Sequence, residues 1–394
     1  HTVAAGGGSI CTFDGARYRV GPQSAGAEPG PASYSKGGPL TVTDCNVMLG
    51  KLQSDYFPHV FGPNQDRPLD AAVVHEKFAA LTADIRTVTG DTRTPVEVAD
   101  GFLKIAVENM ANAIKKISVQ RGYDVTEYTL CSFGGAAGQH ACLVADALGM
   151  TRVLAHPLAG VLSAYGMGLA NVRALREQSV EAPLSRAAIG EAAALLDRMA
   201  TDATVEVAAQ GIDAARIEVL RRLHLKYDGT DTPLIVDFAA AEAMAAQFET
   251  LHRQRYGFVM LEKALIIDTA AVEVVGRSEN SIGSTPSDVA ASKEAQPLAT
   301  VETHMANTAH ATPVYDRKTL TPGAVIDGPA IIREAVATTV VEPGWRANFT
   351  GRGDLVLERV VPLARTAAIG TSVDPVMLEV FNNLYMSIAE QMGF

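Results

Sequence analysis

Apolar residues recur at helical spacing in the first part of the chain and then give way to short runs typical of strands. One apolar stripe follows Asp70, and a second follows 94–97, a capping box with proline at the first helical position. The two stripes predict amphipathic helices. Apolar runs at 129–133 and 152–155 flank a helical pattern at about 139–148, which predicts a strand, a turn, a helix and a second strand. This order is typical of an α/β layer.

Further along the chain, apolar and polar residues alternate. The alternation predicts strands at 217–227, 234–238 and 265–275, and a helical pattern fills 240–255. These elements together make an α+β unit. Residues 301–360 contain short apolar runs separated by glycine turns, which predicts a β-rich segment.

A hairpin and a loop are predicted near the start of the chain. Apolar and aromatic residues flank Asp14-Gly15, a dipeptide suited to a tight turn, so residues 9–20 are expected to form a hairpin. Residues 21–31 are too rich in glycine and proline for a helix or a central strand. We expect them to form an ordered loop packed against the α/β part.

These patterns predict an α/β protein made of several segments. Residues 278–300 have no apolar period and are rich in Ser, Ala, Pro and Asn, which is typical of a linker. The predicted segments are an α/β lobe at 1–180, an α+β unit at 181–277, the linker at 278–300, a β-rich C-terminal domain at 301–362, and a further linker with a helix at 363–394.

The two ends of the chain suggest a piece of a longer protein. The chain starts with His1 rather than Met, directly before a glycine-rich segment. Near the other end, Pro375 follows a capping Asp374, and an apolar stripe at helical spacing runs to Met392. That stripe needs a partner surface, yet the chain stops at Phe394. We therefore expect a fragment cut at both ends.

Composition and charge narrow the possible partners. The 394 residues carry 44 Asp and Glu against 33 Lys and Arg, a formal net charge of -11, which argues against a general nucleic-acid or anionic-membrane surface. The four cysteines form no C-x-x-C pair, so no zinc ribbon or dithiol motif is expected, and reduced thiols indicate a cytoplasmic protein. No signal peptide and no apolar run long enough to span a bilayer are apparent.

A glycine-rich turn between the predicted strand and helix at 129–148 is a candidate anion site. Backbone N–H groups and the helix dipole can hold a phosphate there, and glycines let the ligand approach the backbone. We expect the helix N-terminus to face an open cleft. The alternative is a tight turn that binds nothing, and neither a G-x-G-x-x-G nor a Walker A motif is present. The candidate residues are Gly134, Gly135, Ala136, Gly138, Gln139 and His140, of which His140 either meets a phosphate oxygen or packs locally.

Two further candidates lie nearer the start of the chain. Gly6, Gly7, Gly8 and Ser9 form a second possible phosphate cradle, because three successive glycines are costly in chain entropy unless the backbone geometry matters. A disordered chain end is the alternative. Asp44 follows a short β-branched run, where its carboxylate either binds a metal-bound water or caps the next helix.

Several long strings of mixed composition match one known family. They include TVAAGGGSI at 2–10, SFGGAAGQHACLVADALGM at 132–150 and DGPAIIREAVATTVVEPGW at 327–345. YDGTDTPLIV at 227–236 and RYGFVM at 255–260 are further matches. Together they resemble the hydantoinase A/5-oxoprolinase family, and the last two resemble its ATP-dependent 5-oxoprolinase branch.

The resemblance implies an ATPase fold of the actin, sugar kinase and acetate kinase type, with ATP held between two lobes. Residues 134–140 match the glycine-rich motif on the adenosine side, and residues 6–9 match a glycine turn near the phosphates. Residues 1–180 would be an actin-like lobe whose N-terminal part, with the two principal phosphate loops, precedes residue 1. The string DPVMLEV at 374–380 resembles the opening of the hydantoinase B half, so a fused A and B chain is implied.

The activity implied by the resemblance is ATP-dependent hydrolysis of 5-oxo-L-proline to L-glutamate, with ADP and phosphate as products and Mg²⁺ as a cofactor. The fragment alone would be inactive. The implied partners are the cyclic amide, the missing N-terminal lobe, the B half and further copies of the protein in a homo-oligomer. The resemblance also implies a role in glutathione metabolism. Alternatives are an ATP-dependent hydantoinase, a ketone carboxylase subunit, and a noncatalytic actin-like module that binds nucleotide.

Overall fold

The computed structural model describes residues 5–119, 123–277 and 295–363, together with residues 381, 385, 386 and 389. Over these ranges the chain is a mixed α/β structure with several sheets, as the sequence predicts. It divides into two units, one made of His1–Ser163 with Ser284–Phe394 and the other of Ala164–Gly283.

The first unit begins with a hairpin, three helices and a strand–helix–strand segment. In chain order its elements are β1 (Ser9–Phe13), β2 (Tyr18–Ser24), α1 (Val42–Met48), α2 (Ala71–Thr89), α3 (Pro95–Val119), β3 (Leu130–Ser132), α4 (Ala141–Leu148) and β4 (Arg152–Ala155). The boundary between the units falls near the start of α5 (Leu162–Leu169).

The second unit has one antiparallel sheet and two long helices. Its elements are β5 (Val172–Pro183), α6 (Arg186–Ala208), β6 (Ile217–Tyr227), β7 (Leu234–Asp237), α7 (Ala241–Tyr256) and β8 (Leu265–Gly276). The strand order is β5-β8-β6-β7. Helix α6 packs on β5, β6 and β8, and α7 packs on β7, so the apolar face of the sheet and the helices enclose a separate core.

The chain then returns to the first unit as seven strands. They are β9 (Ala299–Met305), β10 (Thr308–Asp316), β11 (Val325–Asp327), β12 (Ala330–Arg333), β13 (Thr338–Val341), β14 (Trp345–Phe349) and β15 (Leu355–Arg359). One sheet has the order β13-β12-β10-β9, and the other has the order β11-β14-β15-β4-β3.

The second of these sheets joins segments that the sequence analysis assigns to different domains. Strand β15 pairs antiparallel with β4, with Leu357 opposite Val153, and β3 pairs parallel with β4. The side chains of Leu357, Val153 and Trp345 are fully buried in the same core as Phe102 of α3. The predicted β-rich domain at 301–362 is therefore continuous with the α/β lobe, because β14 and β15 bury their apolar faces by completing its sheet.

The predicted helix starts are confirmed by their caps. The Asp70 side chain accepts a hydrogen bond from the Val73 backbone N–H, at 3.1 Å, where α2 begins. At the start of α3 the Thr94 backbone N–H donates to the Glu97 carboxylate at 2.7 Å, and the Glu97 N–H donates back to the Thr94 hydroxyl. Both helices thus satisfy backbone donors that would otherwise lack partners.

Other predicted boundaries differ from the structure. The hairpin closes through four residues, 14–17, and β2 continues to Ser24, so part of the predicted loop at 21–31 is an edge strand. The predicted boundary at 180 falls inside β5. Helix α6 has no sequence-based assignment, because its alanine-rich segment lacks a strong apolar stripe.

Some predictions lie on residues that the structure does not describe. Most of the predicted linker, 278–294, and nearly all of the predicted tail helix at 375–392 lie outside the described residues. Among the helices that are described, none combines the length and the apolar character that crossing a bilayer requires.

Candidate functional site

The two predicted glycine-rich segments adjoin in the first unit. A Cβ atom built on Gly7 would lie 3.5 Å from the Cβ of Ala136. Thr43 of α1 holds this arrangement in place, because its backbone N–H donates to the Gly7 carbonyl oxygen at 2.9 Å. Segments far apart in sequence are therefore neighbours at one surface.

Backbone donors at this junction have no partners within the described chain. The N–H groups of Gly7, Gly8, Gly135 and Ala136 donate to no acceptor among the described residues, and all four residues are at least partly exposed. Because these N–H groups belong to residues that reach solvent, they can donate to water or, together, to an anion such as a phosphate. Both segments therefore present backbone donors at the same surface, and their contact with a nucleotide stays a prediction.

The turn at 134–138 is open on one side and packed on the other. Gly134 has a φ of +95° and open space where a Cβ would stand, and its N–H donates to the Ala159 carbonyl oxygen at 2.7 Å. Cβ atoms on Gly135 and Gly138 would lie 3.0 Å from the Val336 carbonyl oxygen and 2.6 Å from that of Thr338. The segment between β12 and β13, together with the first residue of β13, therefore supports the turn from behind.

The N-terminus of α4 is buried, which differs from the expected open cleft. A short 3-10 turn, Ala137–Gln139, precedes α4, and Gln139 and His140 are only 3% exposed. The Gln139 side-chain oxygen accepts a hydrogen bond from the Asn46 amide at 2.9 Å. The exposed part of the segment is thus the glycine turn, while Gln139 and His140 belong to a polar cluster inside the unit.

His140 is an uncharged group in this cluster. Burial, and secondarily the positive charge of Lys51, lowers the pKa of His140 to about 3. Neither ring nitrogen has a hydrogen-bond partner among the residues that the structure describes, and the same holds for the buried side-chain oxygen of Asn46. A neutral imidazole enclosed by the protein cannot offer positive charge to a phosphate, so the geometry favours the packing alternative for His140.

A buried ion pair completes the cluster, and the sequence analysis missed it. The Lys51 ammonium lies 2.6 Å from the Glu342 carboxylate, and the two side chains are 2% and 4% exposed. The sequence feature that could have indicated this buried pair is the apolar or glycine neighbours of each charged residue. Lys51 stands between Gly50 and Leu52, and Glu342 directly follows the apolar strand β13.

Asp44 caps the start of α1 and is fully buried. Its carboxylate accepts hydrogen bonds from the backbone N–H groups of Ala32, Ser33 and Thr41, at 2.8 to 3.0 Å, and from the Thr41 hydroxyl. Four donors occupy both oxygens, and none of the side chain is exposed. The carboxylate therefore does not fit the metal role, and its geometry is that of the capping alternative.

Over the described ranges, no three His, Cys, Asp or Glu side chains converge in a way that could hold a metal ion. All four cysteines are free thiols. Burial is the main cause of a raised pKa at Cys45 and Cys142, so these two thiols remain protonated and unreactive at neutral pH.

Comparison with known sequences places both units in one family. The profile of the hydantoinase/oxoprolinase family matches residues 1–176, and that of the hydantoinase/oxoprolinase C-terminal domain matches residues 185–352. The chain is 35% identical to 5-oxoprolinase of Dictyostelium discoideum over 398 residues, and 37% identical to 5-oxoprolinase 1 of Arabidopsis thaliana over 405 residues. All of this chain is covered in both cases, but it spans only 31% and 32% of those proteins.

Solved structures show the same fold. Nucleotide-free acetone carboxylase is 20% identical, with a TM-score of 0.72, and ATP-dependent caprolactamase from Pseudomonas jessenii is 25% identical, with a TM-score of 0.68. Each likeness covers 90% of this chain and 52% of the other. Since the two profiles match consecutive parts of the sequence and the fold agrees with that of these enzymes, the chain belongs to the hydantoinase/oxoprolinase family.

Proposed function

We propose that the protein containing this chain hydrolyses 5-oxo-L-proline to L-glutamate, with ATP converted to ADP and phosphate. The relatives from Dictyostelium discoideum and Arabidopsis thaliana, which match the whole chain, are named as 5-oxoprolinases, and the caprolactamase of similar fold is ATP-dependent and named for a cyclic amide. Because the chain spans about a third of those relatives, the activity is proposed for the full-length protein, and the chain alone is proposed to be inactive.

The observation that carries the proposal is the pair of adjoining glycine turns with open backbone donors. In the proposal, Gly6, Gly7 and Gly8 face the phosphates of ATP, and Gly134, Gly135 and Ala136 face its adenosine side, within a lobe of the actin type. Ser9 and Gly138 are buried and support these turns from within, Ser9 through the hydrogen bond that its hydroxyl accepts from the Gly6 N–H at 3.1 Å. ATP, when bound, supplies the phosphoryl group and the driving force that a stable amide ring requires. Mg²⁺ accompanies the phosphates, and no side chain of this chain is assigned to it.

The proposal includes the setting of the reaction. We propose a cytoplasmic location, with which the four free thiols among the described residues agree, and, because of the proposed substrate, a role in glutathione metabolism. We propose the hydantoinase B half as the partner of this part and a homo-oligomer as the working assembly.

The direct test is an assay of the full-length protein with ATP and a panel of substrates. Glutamate and ADP should appear in equal amounts with 5-oxo-L-proline, and neither should appear without ATP. Turnover of hydantoin alone would indicate a hydantoinase, and bicarbonate-dependent turnover of acetone would indicate a ketone carboxylase. Nucleotide binding without any turnover would identify a noncatalytic module and contradict the proposal.

A further inference from the structure

A cavity between helices α3 and α4 lies in the first unit. Its volume is about 250 Å³, and its apolar walls come from α3 and α4 through Leu103, Val107, Leu143 and Ala147. The cavity is smaller than the roughly 300 to 1,000 Å³ typical of drug-sized ligands. It therefore suits a small ring rather than a nucleotide.

The Lys51–Glu342 pair lies at the closed end of this cavity. Both side chains line it and are nearly fully buried, whereas Lys104 and Ala306, which also line it, are exposed and mark its mouth. Within the described chain, the Lys51 ammonium makes a hydrogen bond only to Glu342. An ammonium carries three donors, so two remain without an acceptor among the described residues, on a side chain that lines the cavity.

The Lys51–Glu342 pair favours neutral ligands over charged ones. It presents a donor and an acceptor 2.6 Å apart, yet its net charge is zero. A charged group placed against it would be buried without compensation, which is costly. A neutral group with an acceptor beside a donor is favoured instead, and the ring amide of a lactam has this arrangement, because its C=O and N–H point to the same side.

We propose that this cavity binds a small cyclic amide, whose carbonyl oxygen accepts a hydrogen bond from Lys51 and whose N–H donates to Glu342. The apolar carbon atoms of the ring lie against Leu103, Val107, Leu143 and Ala147. A ring carboxylate, as in 5-oxoproline, points out of the mouth to solvent, where Lys104 is paired with Asp100 at 2.8 Å and Glu108 also lies. The inference rests on the proposed function only for the identity of the natural ligand.

Stability gives an independent reason to assign a function to the pair. A buried ion pair stabilises a fold little compared with apolar residues of similar volume, since desolvation offsets the attraction between the charges. Replacing both partners together is therefore tolerated, whereas replacing one leaves an uncompensated charge. A double replacement separates a binding role from a structural one.

The first experiment measures lactam binding to the full-length protein by calorimetry, in the absence of nucleotide. The probe is 2-pyrrolidinone, and its comparison is N-methyl-2-pyrrolidinone, which keeps the ring and carbonyl but lacks the N–H donor. We expect 2-pyrrolidinone to bind at least tenfold more tightly. Equal affinity, or no binding of either compound, would overturn the proposal.

The second experiment uses the double variant Lys51→Met/Glu342→Leu. We expect an unchanged or higher melting temperature and at least a tenfold loss of 2-pyrrolidinone affinity. The matched control is Lys226→Met/Asp268→Leu, which removes a pair with the same 2.6 Å separation in the other unit and should leave lactam affinity unchanged. A third variant, Ala147→Leu, fills the cavity while retaining the pair and should also abolish binding.

Turnover distinguishes failure of this inference from failure of the proposed function. If the protein hydrolyses 5-oxoproline, the double variant should raise KM for 5-oxoproline at least tenfold and leave the affinity for ATP unchanged. An unchanged KM would overturn the inference while the proposed function stands. A different result would support the inference and refute the proposed function. In that case the protein binds the lactam, the double variant does not, and no ATP turnover is detected.

Discussion

At the scale of single residues, His140 shows how burial decides chemistry that the sequence leaves open. Its position after a glycine turn suggests a phosphate contact, but the fold turns the ring inward beside Lys51. A histidine whose pKa is lowered in the folded state binds its proton more readily in the unfolded state. The stabilising contribution is therefore present above the ordinary pKa, about 6.5, and is lost as the pH falls towards the folded value, about 3.

The lowered pKa of His140 predicts a pH dependence of the free energy of unfolding that arises from this one residue. Between pH 7 and pH 5, protonation of the unfolded state should lower the free energy of unfolding by about 2 kcal/mol through His140. We expect His140→Gln to remove that part of the loss in urea unfolding measured at the two pH values. The control His59→Gln, at an exposed histidine, should keep the wild-type dependence. Identical pH dependence in all three proteins would contradict the assignment.

The position of Gly6 predicts that a substitution there weakens nucleotide binding and leaves the fold unchanged. A Cβ atom there would meet nothing within 4 Å, and the backbone is not in the left-handed region. Gly6→Ala should therefore leave the fold intact and weaken ATP binding at least tenfold, because the methyl group occupies space left for the phosphates.

The matched control for Gly6 is Gly190→Ala in α6, where a Cβ also meets nothing. That change should stabilise the helix by up to about 1 kcal/mol and leave ATP affinity as it was. Fluorescence titration with an ATP analogue compares the two variants in the full-length protein. Equal affinities would remove Gly6 from the proposed phosphate site.

At the scale of elements, local signals predicted α2, α3, α4 and α7, although not α6, and pairing between distant strands was not predictable. The caps of α2 and α3 are encoded within four residues, Asp70 with Val73 and Thr94 with Glu97, so the sequence reveals them directly. The β4–β15 pairing joins residues 152–155 to residues 355–359, and no local pattern specifies a partner so far away. For the same reason, the glycine turns could be predicted singly but their contact could not.

Arg317 links these distant elements and makes the sheet sensitive to one substitution. Its guanidinium contacts Glu334 at 2.7 Å and donates to the carbonyl oxygens of Ala155, at the end of β4, and Gly353, before β15. Burial raises the pKa of Glu334, and Arg317 acts in the opposite direction. Removing the arginine would leave a carboxylate and two carbonyl oxygens buried without their donor.

We therefore expect Arg317→Met to cost about 3 kcal/mol of unfolding free energy, at the lower end for a buried pair. The comparison is Arg346→Met, which breaks the exposed pair with Asp327, also at 2.7 Å, and should cost no more than about 1 kcal/mol. Urea unfolding of both variants checks the difference. Equal costs would mean that burial adds nothing at Arg317.

At the scale of the whole molecule, the described residues form two hydrophobic cores built by different parts of the sequence. Phe102 of α3 is fully buried in one and stacks on Tyr18, with ring centroids 4.7 Å apart. Phe248 of α7 is 1% exposed in the other, 4.9 Å from the ring of Tyr227. The second core was foreseen because 217–275 is continuous in sequence, whereas the first draws on both ends of the chain.

Separate cores predict that the two units lose structure separately. Truncating a buried phenylalanine costs about 3 to 5 kcal/mol, and the loss should be confined to the cooperative unit that contains it. We expect Phe248→Ala to accelerate amide hydrogen exchange in 172–276 and leave the exchange of β4, β14 and β15 unchanged. Phe102→Ala should have the opposite effect, so the two variants serve as controls for each other. Faster exchange throughout the chain in either variant would show that the cores unfold as one, because a shared unfolding equilibrium exposes every amide with the same free energy.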